Sequence, residues 1–448
     1  FDNTKSGWLG FIKIIKENRM KKSLLSVVLG FAALGTFNAQ ANLDQHVKNV
    51  EQQVIEWRRD FHQNPELGNR ETRTAGIVAK HLKSLGMQVQ TDIAYTGVVG
   101  ILKGAKPGPT VMLRADMDAL PVTEKTDVPF KSTKTTNFRG VDVGVMHACG
   151  HDTHVAMLMG AAQVLADMKS ELHGNIMFVF QPAEEGAPIG EEGGAELMLK
   201  EGIFTKYKPD VAFGLHITSS LHSGKIGYRS GPAMASSDRF EITVNGRQAH
   251  GSAPWTGVDP IAAAAQIVTG VNHIVSRQVN ITKEPAIVSF GKIAGGVRNN
   301  IIPEKVEMVG TIRNFDMNNR AQIFEKIKTT ATHIAKSSGA TADVHIHEGY
   351  PVTVNNPELT AQMLPTLAKA AGKNNVVEMN KITGAEDFSF YALEVPSVFV
   401  FLGGTPSSQD LKTVPSNHSP YFYADESSFK VGTKALSLLA VDYLDSKK

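Results

Sequence analysis

Apolar positions along the chain recur with two different periods. Val47, Val50, Val54, Ile55 and Trp57 fall close to helical spacing and predict a helix. A second helix is expected over about 70–85, stopped by Gly86. Short β-rich runs then alternate with helical stretches. Strands are predicted at 96–102, 110–115, 175–180 and 211–216, with a helix at 155–168 between them. These strands are apolar at nearly every position. Runs of that kind, separated by helices, predict an α/β fold with a mostly parallel sheet covered on both faces.

The pattern changes between about 235 and 347. A strand at 239–245, a helix at 259–277, strands at 286–294 and 305–313, a helix at 317–336 and a strand at 342–347 follow in order. That order is βαββαβ, the ferredoxin-like split unit. Afterwards the α/β character returns, with a helix at 357–371, a strand at 397–401 and a last helix at 426–444. The division expected is one α/β domain, 42–234 plus 348–448, interrupted by a smaller domain at 235–347. A length of 448 residues accommodates both.

Composition narrows the function. With 46 basic and 44 acidic residues, the chain has no charge excess aimed at nucleic acid. The single cysteine, Cys149, rules out an intramolecular disulfide and every Cys-x-x-Cys motif. Near the start, Met20-Lys21-Lys22, an apolar run and Asn38-Ala39-Gln40-Ala41 read as an export signal over 20–41, cleaved after Ala41. Residues 1–19 would then be upstream, non-native or untranslated sequence. The apolar run falls short of the ~20 residues a membrane span needs, so no stable span is expected. A periplasmic or secreted protein is the expectation.

P-loop, dinucleotide-binding, Gly-x-Ser-x-Gly and His-Glu-x-x-His motifs are all absent from the sequence. What remains is His147-Ala148-Cys149-Gly150-His151-Asp152-Thr153-His154, placed just before a predicted helix. A thiolate and an imidazole two positions apart at a turn can face one borderline metal ion. Alone, this pair is better read as a structural thiol beside incidental histidines. Three further signals change the balance. Glu184-Glu185 follows a predicted strand, where α/β sites form. His216 ends another strand, and Asn417-His418-Ser419-Pro420 lies in a late loop. One of the paired carboxylates can ligate a metal while the other acts as general base on water. Together these residues supply the ligand inventory of two metals that share one ligand.

The same segments resemble the amidohydrolase branch of the metallopeptidase-20 family, which includes aminoacylases, hippurate hydrolases and auxin–amino acid conjugate hydrolases. Besides those above, the resemblance rests on 57–67, Arg114-Ala115-Asp116-Met117-Asp118, Gln181-Pro182-Ala183, Gly246-Arg247-Gln248-Ala249-His250 and Gly384-Ala385-Glu386-Asp387-Phe388. It implies a dinuclear-metal exopeptidase-like fold whose inserted domain serves as lid and dimerisation domain. Cys149 would bridge two divalent ions (Zn, Mn, Co or Ni). His151 and His216 would complete one site, and Glu185 and His418 the other. Glu184 would be the general base, with Asp118 supporting the site. Other branches carry Asp where Cys149 stands.

By the same resemblance, His250 would reach the oxyanion from a neighbouring subunit of a homodimer. Asn300, by the resemblance, and Arg313, by the fit of its guanidinium to a carboxylate, are candidates to anchor the substrate carboxylate, with Arg313 reading equally well as a solvated strand residue. The implied activity is hydrolysis of an N-acyl amino acid, with a dipeptidase or carboxypeptidase and a non-catalytic metal- or peptide-binding relative as alternatives. A cysteine hydrolase using Cys149 with His151 or His154 would leave Glu185, His216 and His418 without a role.

Overall fold

The computed structural model describes residues 41–448. The expected export segment, save Ala41, and the stretch before it lie outside the described residues. Eight strands form the large sheet in the order Gln88–Ile93, Gly97–Lys103, His173–Gln181, Lys106–Asp116, Val211–His222, Ser397–Thr405, Ile226–Tyr228 and Val376–Glu378. The four from His173–Gln181 to Ser397–Thr405 run parallel to one another. Gly97–Lys103 joins them antiparallel. The mostly parallel, doubly covered sheet read from the sequence is therefore present.

Both faces of its central strands are apolar, and consecutive side chains enter different cores. Val111 and Leu113 pack with Ile176, Phe178, Phe213 and Val400. Met112 packs on the other side with Met177, Val179, Ala212 and Phe399. Helices Thr72–Ser84, His151–Asp167, Pro357–Ala371 and Phe429–Asp445, with the helix over 41–63, supply the first layer. The second face is closed by the short helices Gly194–Lys200 and Ser389–Glu394.

One helix boundary differs from the sequence expectation and matters for the site. The helix expected to begin near Val155 begins at His151. Gly150 caps it with φ +99°. A Cβ there would come within 2.4 Å of Ile217 Cγ2. Only glycine tolerates both the backbone and the contact. The turn therefore leaves Cys149 on one side and puts His151 in the first helical turn.

The inserted segment forms an antiparallel sheet in the order Ala286–Ala294, Lys305–Asn314, Asp238–Asn245 and Thr341–His347. Helices Pro260–His273 and Met317–Ser337 cover one face, over a separate core of Phe240, Ile242, Ile267, Ile312 and Ile327. Asp259 caps the first helix and Asp316 the second. Asp238 joins this inserted domain, the lid of the resemblance, to the body. Buried, it takes Arg320 Nη2 at 2.6 Å, and it accepts hydrogen bonds from Gly349 N at 3.1 Å and Ser236 Oγ at 3.2 Å. Those residues mark where the chain enters and leaves the lid.

Removing one member of a buried pair strands the other charge. Arg320→Ala is expected to destabilise the protein by about 3–5 kcal/mol. A lower midpoint in the first thermal unfolding transition checks this, and an unchanged midpoint contradicts it.

Candidate metal centre

The C-terminal ends of the parallel strands bring the candidate residues together. Asp116 ends one strand and pairs in register with Gln181, which ends the next. His216 lies on Val211–His222, two positions beyond Gly214, which pairs with Arg114. Asp118, Glu184 and Glu185 follow on the connecting loops, the place where open α/β sheets assemble sites.

Cys149 is the hub. Its Sγ lies 3.2 Å from His216 Nε2 and 3.2 Å from His418 Nε2. His418 Nε2 is also 2.9 Å from Glu185 Oε1. Two groups of potential ligands share the thiol: Cys149, His151 and His216, and Cys149, Glu185 and His418. This is the grouping expected from the sequence. Glu184 Oε2 stands 3.8 Å from His151 Nε2.

Hydrogen-bond accounting fixes the histidine tautomers. His151 Nδ1 lies 2.9 Å from the Asp118 carbonyl and must donate to it. Its buried Nε2 has no hydrogen-bond partner. His216 Nδ1 lies 2.6 Å from the Ile217 carbonyl, which leaves its Nε2 lone pair facing the sulfur. Ligand histidines are oriented in this way by a partner on their other nitrogen. Burial holds His216 well below the ordinary histidine value, and hence neutral.

Two other clusters are already filled. His154 Nδ1 faces Asp116 Oδ1 at 2.6 Å, and its Nε2 accepts from Ile217 N at 2.8 Å. Glu386 and Asp387 lie 2.9 and 2.7 Å from Arg114 Nη2.

Electrostatics favour added cations. Burial, with Glu386, Glu185 and Asp387, pushes Glu184 well above the usual carboxylate range. Burial and the same kind of neighbours push the Cys149 thiol up. His151 rises to about 10: burial opposes this, but Asp116, Asp118 and Glu185 outweigh it. In the ion-free chain, a proton on His151 thus meets a demand that a metal ion would meet. Soft and borderline donors around a buried anionic cluster, with one orphaned nitrogen, fit divalent ions of the zinc type.

The centre opens into a cavity of about 500 Å³. Met234, Ile382, Phe401 and Tyr350 line it beside Glu184, and Arg313 reaches it from the lid. Burial lowers the Arg313 guanidinium from the ordinary value, and Asp238 only partly opposes this. His250 and Asn300 stand elsewhere. His250 is exposed on Ala249–His250, with Nδ1 2.7 Å from Ser252 Oγ. Asn300 adjoins it, its carbonyl accepting from Gly251 N at 2.8 Å. Neither lines the cavity of its own chain.

A profile of the peptidase family M20/M25/M40 matches residues 112–442. The chain belongs to that family. It is 42% identical over 403 residues to thermostable carboxypeptidase 2 of Saccharolobus solfataricus, covering 90% of this chain and 98% of the relative. It is 36% identical over 403 residues to an N-acetyl-L-cysteine deacetylase of Bacillus subtilis, covering 90% and 91%. A solved M20 structure from Bacillus subtilis, described as a dinuclear metal binding peptidase, superposes with a TM-score of 0.74 at 33% identity, covering 89% and 99%. This M20 chain is a metal-dependent hydrolase of amide bonds.

Sequence reasoning missed several supports of the centre. Tyr350 Oη donates to the Glu184 carbonyl at 2.6 Å. Glu71, buried and pushed up to about 8 by desolvation and Asp118, accepts from Ala183 N at 2.9 Å. Neither residue carried a sequence signal. Arg114, Glu386 and Asp387 did, since they sit in two of the family-like segments.

Asp118 orients His151 through its backbone carbonyl. Its side chain also meets the centre: Oδ1 lies 3.2 Å from His151 Nδ1, and Oδ2 accepts from Glu185 N at 2.9 Å. Loss of such an outer partner typically weakens metal binding 10–100-fold. Asp118→Ala is expected to lose about that much affinity. Competition with a chromophoric chelator measures it, and unchanged affinity would remove Asp118 from the centre.

Proposed function

We propose that this M20 enzyme hydrolyses N-acyl amino acids to a carboxylic acid and an amino acid. The observation that carries the reading is Arg313, a half-buried cation on the wall of the cavity that holds Glu184. An N-acyl amino acid offers a free carboxylate to Arg313 while its amide carbonyl lies over the centre. Arginine suits that carboxylate because its planar fork binds both oxygens. Met234, Ile382 and Phe401 give the acyl group an apolar wall.

Cys149, His151 and His216 would hold one divalent ion, and Cys149, Glu185 and His418 a second. When bound, the ions would acidify water and polarise the carbonyl. Glu184 takes a proton from the attacking water, whose oxygen bonds to the amide carbon. As the C–N bond breaks, Glu184 returns the proton to the amine nitrogen. Tyr350 holds the Glu184 carbonyl, and Glu71 the N–H of the preceding Ala183, during these transfers.

A carboxypeptidase reading has support in the relative of that name. Its substrate offers the same terminal carboxylate. By the resemblance drawn from the sequence, Cys149 points to the amidohydrolase branch. We also propose action outside the cytoplasm, from the signal-like stretch at 20–41. A homodimer paired through the lid would give exposed His250 and its neighbour Asn300 a cavity to reach. No helix among the described residues is long and apolar enough to cross a membrane.

A panel of N-acetyl and N-benzoyl amino acids beside blocked dipeptides tests the reading. Hydrolysis of the acyl amino acids should disappear with a chelator and return with Zn²⁺ or Mn²⁺. Glu184→Gln should lower kcat about 10²–10⁴-fold while the protein keeps its metal. Activity indifferent to the chelator would instead promote a thiol mechanism.

Arg313→Met should lower kcat/KM for free acids by about 10–100-fold, the worth of a charged hydrogen bond, and leave methyl esters unaffected. Equal losses on acids and esters would remove Arg313 as the carboxylate anchor.

A further inference from the structure

We propose that Asn417 is a positioning residue that clasps the His418 loop to the other ligand segments and so builds the second metal position. This rests on the metal reading of the centre. Of the residues grouped around Cys149, His151 stands on a helix and His216 on a strand. His418 has neither support. It lies between Ser397–Thr405 and Glu426–Ser428, with its side chain 54% exposed. Its φ is +71°, left-handed backbone that residues other than glycine rarely adopt. Such a conformation persists only where the surroundings impose it.

The side chain of Asn417 supplies the constraint. Its Nδ2 donates to the Cys149 carbonyl at 2.8 Å and to the Ile217 carbonyl at 3.1 Å. Its Oδ1 accepts from Ser219 N at 3.1 Å. The next residue closes the arrangement, with His418 N donating to the Ala148 carbonyl at 2.8 Å. One amide thereby joins the His418 loop to the Cys149 turn and to the strand just past His216. Both donors and the acceptor are engaged, which only a carboxamide of this length achieves. Aspartate has the same shape but no donor, and it would set a carboxylate oxygen against two carbonyl oxygens.

Asn417 touches no reacting atom, so its effect belongs on metal binding. The ligands that lie on regular elements keep their places without it. His418 does not, and the position formed by Cys149, Glu185 and His418 should weaken selectively.

Metal-free full-length wild type and Asn417→Asp would be titrated calorimetrically with Zn²⁺. Wild type should take up two ions per chain. The variant should bind the first with wild-type affinity and the second about 10–100-fold more weakly. Asn417→Ala, which adds no like charge, replaces the aspartate variant if that protein fails to melt cooperatively. Two equally tight ions in the variant would overturn the clasp and leave the metal reading standing. Equal weakening of both ions would also overturn it, as the mark of a general structural role. A wild type that binds no Zn²⁺ would overturn both readings.

Discussion

A carboxylate removed from water keeps its charge only if a cation or several donors replace the lost hydration. Asp116, Asp118, Glu184, Glu386 and Asp387 are all buried, and Glu185 lies beside them. The one buried arginine among them is Arg114, whose guanidinium faces Asp116, Glu386 and Asp387. Those three carboxylates are thereby served unequally. Asp116 stays well below the usual range: burial opposes this, but His151, Arg114 and His154 prevail. Glu386 rises to about 8 through burial, with Asp116 and Asp387 adding to it against Arg114. Cations are therefore short around Glu184, which lies against Glu386 and Asp387, and around Cys149. That shortage is the physical demand that divalent ions meet.

The fold can carry this load because most of each central strand needs nothing polar. Apolar side chains fill both faces of the large sheet, and the charged groups gather at and just past the C-terminal ends of its strands. Close packing then sets the tolerances. Gly150 lets the strand carrying Ile217 approach the Cys149 turn, and a methyl group there would force them apart. The lid has its own core, tied to the body at Asp238 and Arg320. Arg313 and Tyr350 come from the lid and its exit, so the cavity needs both domains.

Much of this was legible in the sequence, for local reasons. The 3.6-residue period marks helices such as Met317–Ser337 wherever one face is buried. Fully apolar runs mark central strands. The potential ligands stood out because they lie in short segments at strand ends, with chemistry that packing alone does not require. The boundary at His151 was misplaced because glycine at a helix start depends on a neighbour far along the chain. Short strands such as Ile226–Tyr228 and Val376–Glu378 have too few residues to show a period. The contact of Arg114 with Asp387 spans 273 positions, and nothing local announces it. Tyr350 and Glu71 escaped for the same reason: a tyrosine and a glutamate acquire their roles only through what the fold sets beside them.

The crowding of histidines shows most clearly what sequence cannot resolve. Five of them, His418 included, lie within eight positions of Cys149 or directly against it, and by residue type they are equal. Their nitrogens distinguish them. His154 has both engaged, one by Asp116 and one by the Ile217 N–H, so it can only brace the strand. His151 and His216 each engage Nδ1 with a backbone carbonyl and keep Nε2 free towards the thiol and Glu184. His147 has neither nitrogen bonded, and burial takes it down to about 4, so it sits in the interior as a neutral ring. A ligand histidine needs one nitrogen held and one open. That condition is set by backbone carbonyls at Asp118 and Ile217, which belong to segments remote from the His147–His154 motif. The motif supplies the rings; the strand ends on either side decide which of them can bind.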